Sequence, residues 1–475
     1  MNQQHAPVFE GLLHYRKQQA FSFHVPGHKD GLIFPRQATA FFKKLLELDA
    51  TEVAGLDDLY HPSDILREGE ALLSNYYRTA ASYFLVNGST VGNLIMVMAA
   101  CDRGDRIFVQ RDCHGSIIHA LQIGGLRPVF LAPDIANGLS AGISLALLEK
   151  ALRHYPDVRS LVLTYPSYYG VAPEIGPLIA EAHRAGLTVL VDEAHGAHFS
   201  LGAPVPPDAL TLGADLVVQS AHKMLPAMTM GAYLHINSAR VSRERVEAVR
   251  QIFQTSSPSY PIMASLDLAR WYLANLNEAD QAAIFAARDR FVGRLRELPA
   301  VRVVDPQPGR FRLDPFKIIL ESSCAASGFE LQRRLIGRGI YPELADPDRV
   351  LLALGLSAAI DYKRAFALIR DALIGLPPLN RRRGSATFPF PPYTAALHPY
   401  AVFAKRGRQE VPIEAAEGKV AAEHVVPYPP GIPAILRGER VTGPQIAAVG
   451  QWRHAGGLFG NARANRGRMM IYNGS

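Results

Sequence analysis

The sequence predicts an α/β protein: one large domain around a mostly parallel seven-stranded sheet, followed by a smaller α+β C-terminal region. Three observations carry this reading. From about residue 80, short β-branched apolar runs alternate with longer stretches of helical period, which is the pattern of strands covered by helices. Turn residues punctuate the alternation, as where Gly186 stops a helix over Ile175–Ala185 just before the next apolar run. A long helical stretch from Ile262 to Leu298 then leads into a region of different character.

The strands expected in order are Tyr83–Val86, Arg106–Val109, Pro128–Leu131, Ser160–Tyr165, Thr188–Asp192, Asp215–Gln219 and Ala232–Ile236. Val301–Val304 and Phe316–Leu320 follow as strands of the smaller region. Between Leu376 and Tyr393 the run PPLNRRRGSATFPFPPY is too rich in proline for a helix or a central strand. These shifts divide the chain into an N-terminal segment (1–75), a large domain (76–300), a small α+β domain (301–376), a Pro-rich linker (377–393) and a C-terminal segment (394–475). A second Pro-rich stretch, Pro427–Pro433, favours a rigid extended backbone.

Composition bounds the function. With 475 residues, 48% hydrophobic and 20% charged, the chain can bury a large core, which argues against disorder and low-complexity scaffolds. Fifty Lys+Arg against 43 Asp+Glu give a net charge of +7, but the basic clusters at Arg381–Arg383 and across Arg453, Arg463, Arg466 and Arg468 lack interleaved aromatics. They read as solvated surface, so no nucleic-acid partner is expected. Cys101, Cys113 and Cys324 are too few and too scattered for a disulfide framework. No apolar run reaches the ~20 residues that span a bilayer, and the expectation is a cytoplasmic protein without a membrane partner.

In open α/β sheets ligands gather beyond the carboxyl ends of the strands, so chemistry is sought there. After the first strand comes Asn87-Gly88-Ser89-Thr90-Val91-Gly92-Asn93, a small-residue turn opening a helix whose N–H groups and hydroxyls suit a phosphate. A plain N-cap is the competing reading. The fifth strand ends in Asp192-Glu193-Ala194-His195-Gly196-Ala197-His198, where the acid suits a cationic ring nitrogen or, with His195 and His198, a metal. The sixth runs into Ser220-Ala221-His222-Lys223. Lysine there is either a solvated charge or a partly buried, nucleophilic amine. A phosphate cradle, a strand-end Asp and Ser-x-His-Lys, in that order, form the working set of a pyridoxal phosphate enzyme.

With these residues in view the sequence resembles the Orn/Lys/Arg decarboxylases. The resemblance rests on Phe23–Lys29, Thr51-Glu52 with Gly55–Leu59, Asn87–Thr90, Arg111–His114, Asp192–His198, Ser220–Lys223, Thr255–Tyr260 and Pro427–Pro433. It implies the aspartate aminotransferase-like fold type I, pyridoxal 5'-phosphate as cofactor, and the short form without the family's N-terminal wing. The layout is most similar to the short bacterial arginine decarboxylases. Arginine, converted to agmatine and CO2 in polyamine biosynthesis, is therefore the expected substrate, with lysine or ornithine as alternatives. A fold type I aminotransferase, a metallohydrolase on Asp192, His195 and His198, and a non-enzymatic cofactor-binding regulator are more distant readings.

Carried over residue by residue, the resemblance implies that Lys223 binds the cofactor covalently, Asp192 pairs with the pyridine nitrogen and His114 stacks on the ring. Ser89, Thr90, Ser220 and His222 surround the phosphate or the lysine, and His195 lies near the phenolic edge. Lys223 or His222 would return the proton to Cα. Thr255, Ser256 and Ser257 would reach the phosphate of a neighbour in a homodimer; a helix-capping loop is the bland alternative. Glu439, then Asp58 and Glu343, are the carboxylates expected to face the substrate's distal charge. No metal site is expected. Two departures from the family's pattern are His114-Gly115-Ser116, which lacks the usual lysine, and Arg437-Gly438-Glu439, which replaces the usual Pro-Gly-Glu.

Overall fold

A computed structural model of the chain describes residues 1–19, 21–306, 311–377, 379, 388, 390–395, 407–428 and 431–474. The basic cluster Arg381–Arg383, most of the predicted linker 377–393, and Pro429 and Pro430 of the second Pro-rich stretch lie outside the described residues. The chain forms two compact units. The first comprises Met1–Ala100, Thr188–Gly202 and Pro207–Asn277, and the second Cys101–Leu187, Ala203–Pro206 and Glu278–Ser475.

The large sheet is mixed and has eight strands among the described residues. Seven stand where the apolar runs predict them: β1 (Ala81–Leu85), β2 (Arg106–Gln110), β3 (Arg127–Leu131), β4 (Val158–Thr164), β5 (Thr188–Asp192), β6 (Leu216–Gln219) and β7 (Ala232–Ile236). In the first unit the order is β1-β7-β6-β5, with β5 and β6 parallel and β7 antiparallel to both of its neighbours. All the residues of β1, β6 and β7 are buried, as continuous apolar runs require when both faces of a strand are covered.

In the second unit β2 pairs in parallel with β3 and β4. The smaller sheet there is antiparallel, built from β8 (Val301–Val303), β9 (Lys317–Ser322), β10 (Leu344–Ala345) and β11 (Arg349–Ala353) in the order β8-β9-β11-β10. The eighth strand of the large sheet, β12 (Tyr393–Ala395), runs antiparallel to β3. It was not expected from sequence, because prolines precede it directly; they are tolerated here since the strand lies at a sheet edge.

The helical stretch expected over Ile262–Leu298 is two helices, Tyr260–Ala274 and Glu278–Leu295. The break falls at Asn275-Leu276-Asn277. There the Asn275 amide donates to Trp271 O at 2.8 Å and Gln3 O at 3.1 Å, the kind of side-chain to backbone bonding that competes with helix propagation.

Two glycines set the helix Gly88–Ala100 against the sheet. Gly88 turns the chain out of β1 with φ +79°, a conformation other residues adopt at a cost. A Cβ on Gly92 would lie 2.7 Å from Val218 and 2.8 Å from Leu85, so only glycine allows this approach to β1 and β6.

Candidate active site

The tips of β1, β5 and β6 bring the predicted residues together within the first unit. Asp192 ends β5 and is 3% exposed. Its Oδ2 accepts from Asn93 Nδ2 at 2.7 Å and its Oδ1 from the Ala194 N–H at 3.1 Å, so donors fix the plane of the carboxylate. Lys223 sits in the short turn Ala221–Met224 beyond β6, with Nζ 3.0 Å from His195 Nε2. His195 is itself buried.

Ser220 is buried and its hydroxyl donates to Ser89 Oγ at 2.6 Å, placing two hydroxyls at the N-terminus of the Gly88–Ala100 helix. Thr90 is exposed beside them. His222 bonds through Nδ1 to Gly231 O at 3.0 Å, which puts a proton on Nδ1.

A second loop is pinned to this helix turn. Asn87 Oδ1 accepts from the Thr255 N–H at 3.0 Å, Gln254 Oε1 accepts from the Val86 N–H at 2.9 Å, and Tyr60 Oη donates to Gln254 O and Thr255 O. Ser256 and Ser257 are exposed next to it. Behind the loop, buried Arg250 bonds to Glu70 at 3.2 Å and lies 4.4 Å from the Tyr83 ring centroid. Glu70 also accepts from the Phe84 N–H of β1. Burial raises the Glu70 pKa to about 7, against the lowering pull of Arg250.

The other predicted residues have the following places and partners. His114 belongs to the second unit, where it caps the helix Gly115–Gly124 and its Nδ1 accepts from the Ser116 N–H at 3.2 Å. Glu439, also in the second unit, is buried and paired with Arg111 at 3.0 Å. It further accepts from the Leu436 N–H at 2.8 Å and from Gln445 Nε2 at 3.1 Å. Asp58 lies in the first unit and accepts from the Tyr60 and His61 N–H groups. Glu343 is exposed in the second unit and accepts from Tyr168 Oη at 2.8 Å. His198 turns to Phe199, with ring centroids 4.9 Å apart, and among the described residues no three His, Cys, Asp or Glu side chains form a group able to hold a metal.

Sequence reasoning assigned no role to Asn93, Glu193, Gln219 or Gln254. Asn93 had a readable signal: it follows Ser89 by four residues, one helical turn, and so shares its face. The others are paired by the tertiary fold, with nothing in their spacing to indicate it.

These residues fit pyridoxal phosphate. A buried carboxylate held by donors suits a cationic ring nitrogen, a partly buried amine suits an aldehyde, and paired hydroxyls at a helix N-terminus suit a phosphate. Fold and site together define a fold type I enzyme dependent on this cofactor.

Residues 6–307 match the Orn/Lys/Arg decarboxylase major domain and residues 387–452 the Orn/Lys/Arg decarboxylase C-terminal domain. The chain belongs to the Orn/Lys/Arg decarboxylase family and is an amino-acid decarboxylase. It is 44% identical over 440 residues to the uncharacterized protein YaaO of Bacillus subtilis, covering 92% of each chain. With the arginine decarboxylase of Bacillus subtilis it shares 30% identity over 463 residues, 94% of each chain. Lysine decarboxylase LdcA of Pseudomonas aeruginosa is 24% identical over 560 residues, 92% of this chain and 74% of that one. The solved structure of the Pseudomonas aeruginosa lysine decarboxylase superposes with a TM-score of 0.78 at 20% identity, covering 94% of this chain and 76% of that one.

Proposed function

We propose that the chain decarboxylates L-arginine, releasing CO2 and agmatine for polyamine synthesis. The observation that carries the choice of substrate is the 30% identity over 94% of both chains with an arginine decarboxylase, against 24% with a lysine decarboxylase matched over 74% of its length. Lysine and ornithine, giving cadaverine and putrescine, are the alternatives. The test is product identification from purified protein given arginine, lysine and ornithine separately. Agmatine as the dominant amine upholds the proposal, and cadaverine or putrescine in its place overturns the substrate while keeping the reaction. An α-keto acid without CO2 would indicate a transaminase.

In this reading the tasks divide among the side chains as follows. Pyridoxal phosphate, when bound, takes up the electron pair left as CO2 departs. Lys223 supplies the amine that holds the cofactor's aldehyde, and the contact with His195 supports an amine held in place before it reacts. Asp192 holds a proton on the ring nitrogen; the bonds from Asn93 and Ala194 support that role by fixing its orientation. Ser89, Thr90 and Ser220 bind the phosphate at the helix N-terminus. His114 stacks on the ring, and Lys223 or His222 returns a proton to Cα.

Asp58 and Glu343 remain the proposed partners of the substrate's distal charge. Glu439 is proposed beside them, its carboxylate already taking Arg111, Gln445 and a backbone N–H. We further read the chain as a cytoplasmic homodimer in which Thr255, Ser256 and Ser257 reach the neighbour's phosphate. Among the described residues no helix is long and apolar enough to cross a membrane.

A further inference from the structure

A buried row of hydrogen-bonding side chains crosses the first unit from β5 to β1. Glu193, the residue after Asp192, is fully buried, and its two oxygens accept from the Ala209 N–H and from Gln219 Nε2, each at 2.7 Å. Gln219 is the last residue of β6, four before Lys223. Its Oε1 meets His235 Nε2 at 3.2 Å. His235 Nδ1 meets Ser82 Oγ at 2.7 Å, and Ser82 meets Thr79 Oγ1 at 2.7 Å.

The direction of the bonds follows from the donors at Glu193: both of its oxygens accept, so Gln219 turns its NH2 towards it and its carbonyl oxygen towards His235. Burial and the nearby Asp208 carboxylate push the Glu193 pKa well up, and the bonds donated by Gln219 and Ala209 pull against that. His235 then carries its proton on Nε2, and its Nδ1 accepts from the Ser82 hydroxyl. Ser82 in turn takes the proton of Thr79. Complete burial keeps His235 uncharged and pushes its pKa down to about 3, consistent with a ring that donates once and accepts once. A row of buried polar groups satisfied at every step is rigid, and leaving any member unpaired is costly.

We propose that Glu193 is a positioning residue for the decarboxylation site: by holding Gln219, it locks the β6 tip that carries Lys223 beside the β5 tip that carries Asp192, with His235 and Ser82 fixing which way Gln219 faces. The proposal rests on the reading of Asp192 and Lys223 as the cofactor's contacts. In Glu193→Gln the new amide donates where the carboxylate accepted, so Gln219 must flip, His235 must move its proton to Nδ1, and the row reverses. Adding Gln219→Glu restores it, because the amide at 193 now donates to a carboxylate at 219 that still accepts from His235 Nε2.

The experiment compares parent, Glu193→Gln and Glu193→Gln/Gln219→Glu holoenzymes by steady-state kinetics on the substrate the parent turns over. Visible circular dichroism of the bound cofactor and nitrogen NMR of His235 accompany the kinetics. The single variant should lose about ten- to 100-fold in kcat with KM held within about three-fold, the pattern of misplaced reacting groups. Its cofactor dichroism should change and its His235 proton should move to Nδ1. The double variant should return to within about three-fold of the parent in kcat and restore the dichroism and the Nε2 proton.

A single variant that keeps the parent's kcat and dichroism, or a double variant as slow as the single, overturns the proposal. Should the single variant not fold, the double decides alone: folded and near-parental in kcat upholds the pairing, folded and slower by more than about ten-fold overturns it. Absence of a reducible cofactor adduct on Lys223 in the parent itself would defeat the underlying reading instead.

Discussion

Asn93→Leu removes the side-chain donor to Asp192 while keeping the volume of the helix face nearly constant. The lost bond is short, 2.7 Å, and Asn93 is 1% exposed, so solvent does not replace it. A hydrogen bond to a charged group is worth about 1.5–3 kcal/mol. If that interaction is felt fully in the transition state, the loss is about 10- to 150-fold in kcat/KM. The Ala194 N–H remains on the other oxygen, so Asp192 is loosened and not freed, and the lower end of the range is the expected one. The assay is kcat/KM for CO2 release at saturating cofactor, with Asn93→Asp as a companion that sets a second acid against Asp192. A leucine variant within about two-fold of the parent would refute the reasoning that Asn93 orients the carboxylate.

Other consequences can be checked by stability and kinetics. Glu70 has a folded-state pKa of about 7, above the ordinary 4.5, so the stability it contributes is complete below pH 4.5 and is lost as pH rises towards 7. Glu70→Gln should flatten the fall in Tm across that window in a pH series of thermal melts, and an unchanged slope would contradict the assignment. Arg111→Met strands the buried Glu439 carboxylate and should cost about 3–5 kcal/mol in denaturant unfolding, part of which Arg111→Met/Glu439→Gln recovers. Equal stability of the two variants would sink that account. Gly92→Val drives a side chain into Val218 and Leu85 and should cost about 1–3 kcal/mol while weakening cofactor retention, read by melting and by dialysis of the holoenzyme.

What could be read from the sequence and what could not have distinct physical causes. The strands of the large sheet were legible because, with both faces covered, they are written as unbroken apolar runs; β5 and β7 match residue for residue. Asp192, Ser220 and Lys223 could be singled out because each lies at or just beyond the carboxyl end of such a run, where ligands of open α/β sheets gather. Edge strand β12 was hidden by its preceding prolines. The helix break at Asn275 depended on the N-terminal segment, through Gln3, which no local window contains. The pairing of Glu439 with Arg111 could not be read, because the two stand 328 residues apart. The row from Glu193 to Ser82 was equally unreadable, since its members meet only once β5, β6, β7 and β1 lie side by side.

The central claim is that Lys223 holds the cofactor through which the amino acid loses its carboxylate. Borohydride reduction of the purified holoenzyme, followed by proteolysis and mass mapping, tests it most directly. The account predicts a single reduced pyridoxyl adduct, on Lys223. An adduct on a different lysine, or a reduced protein that carries none, would contradict it.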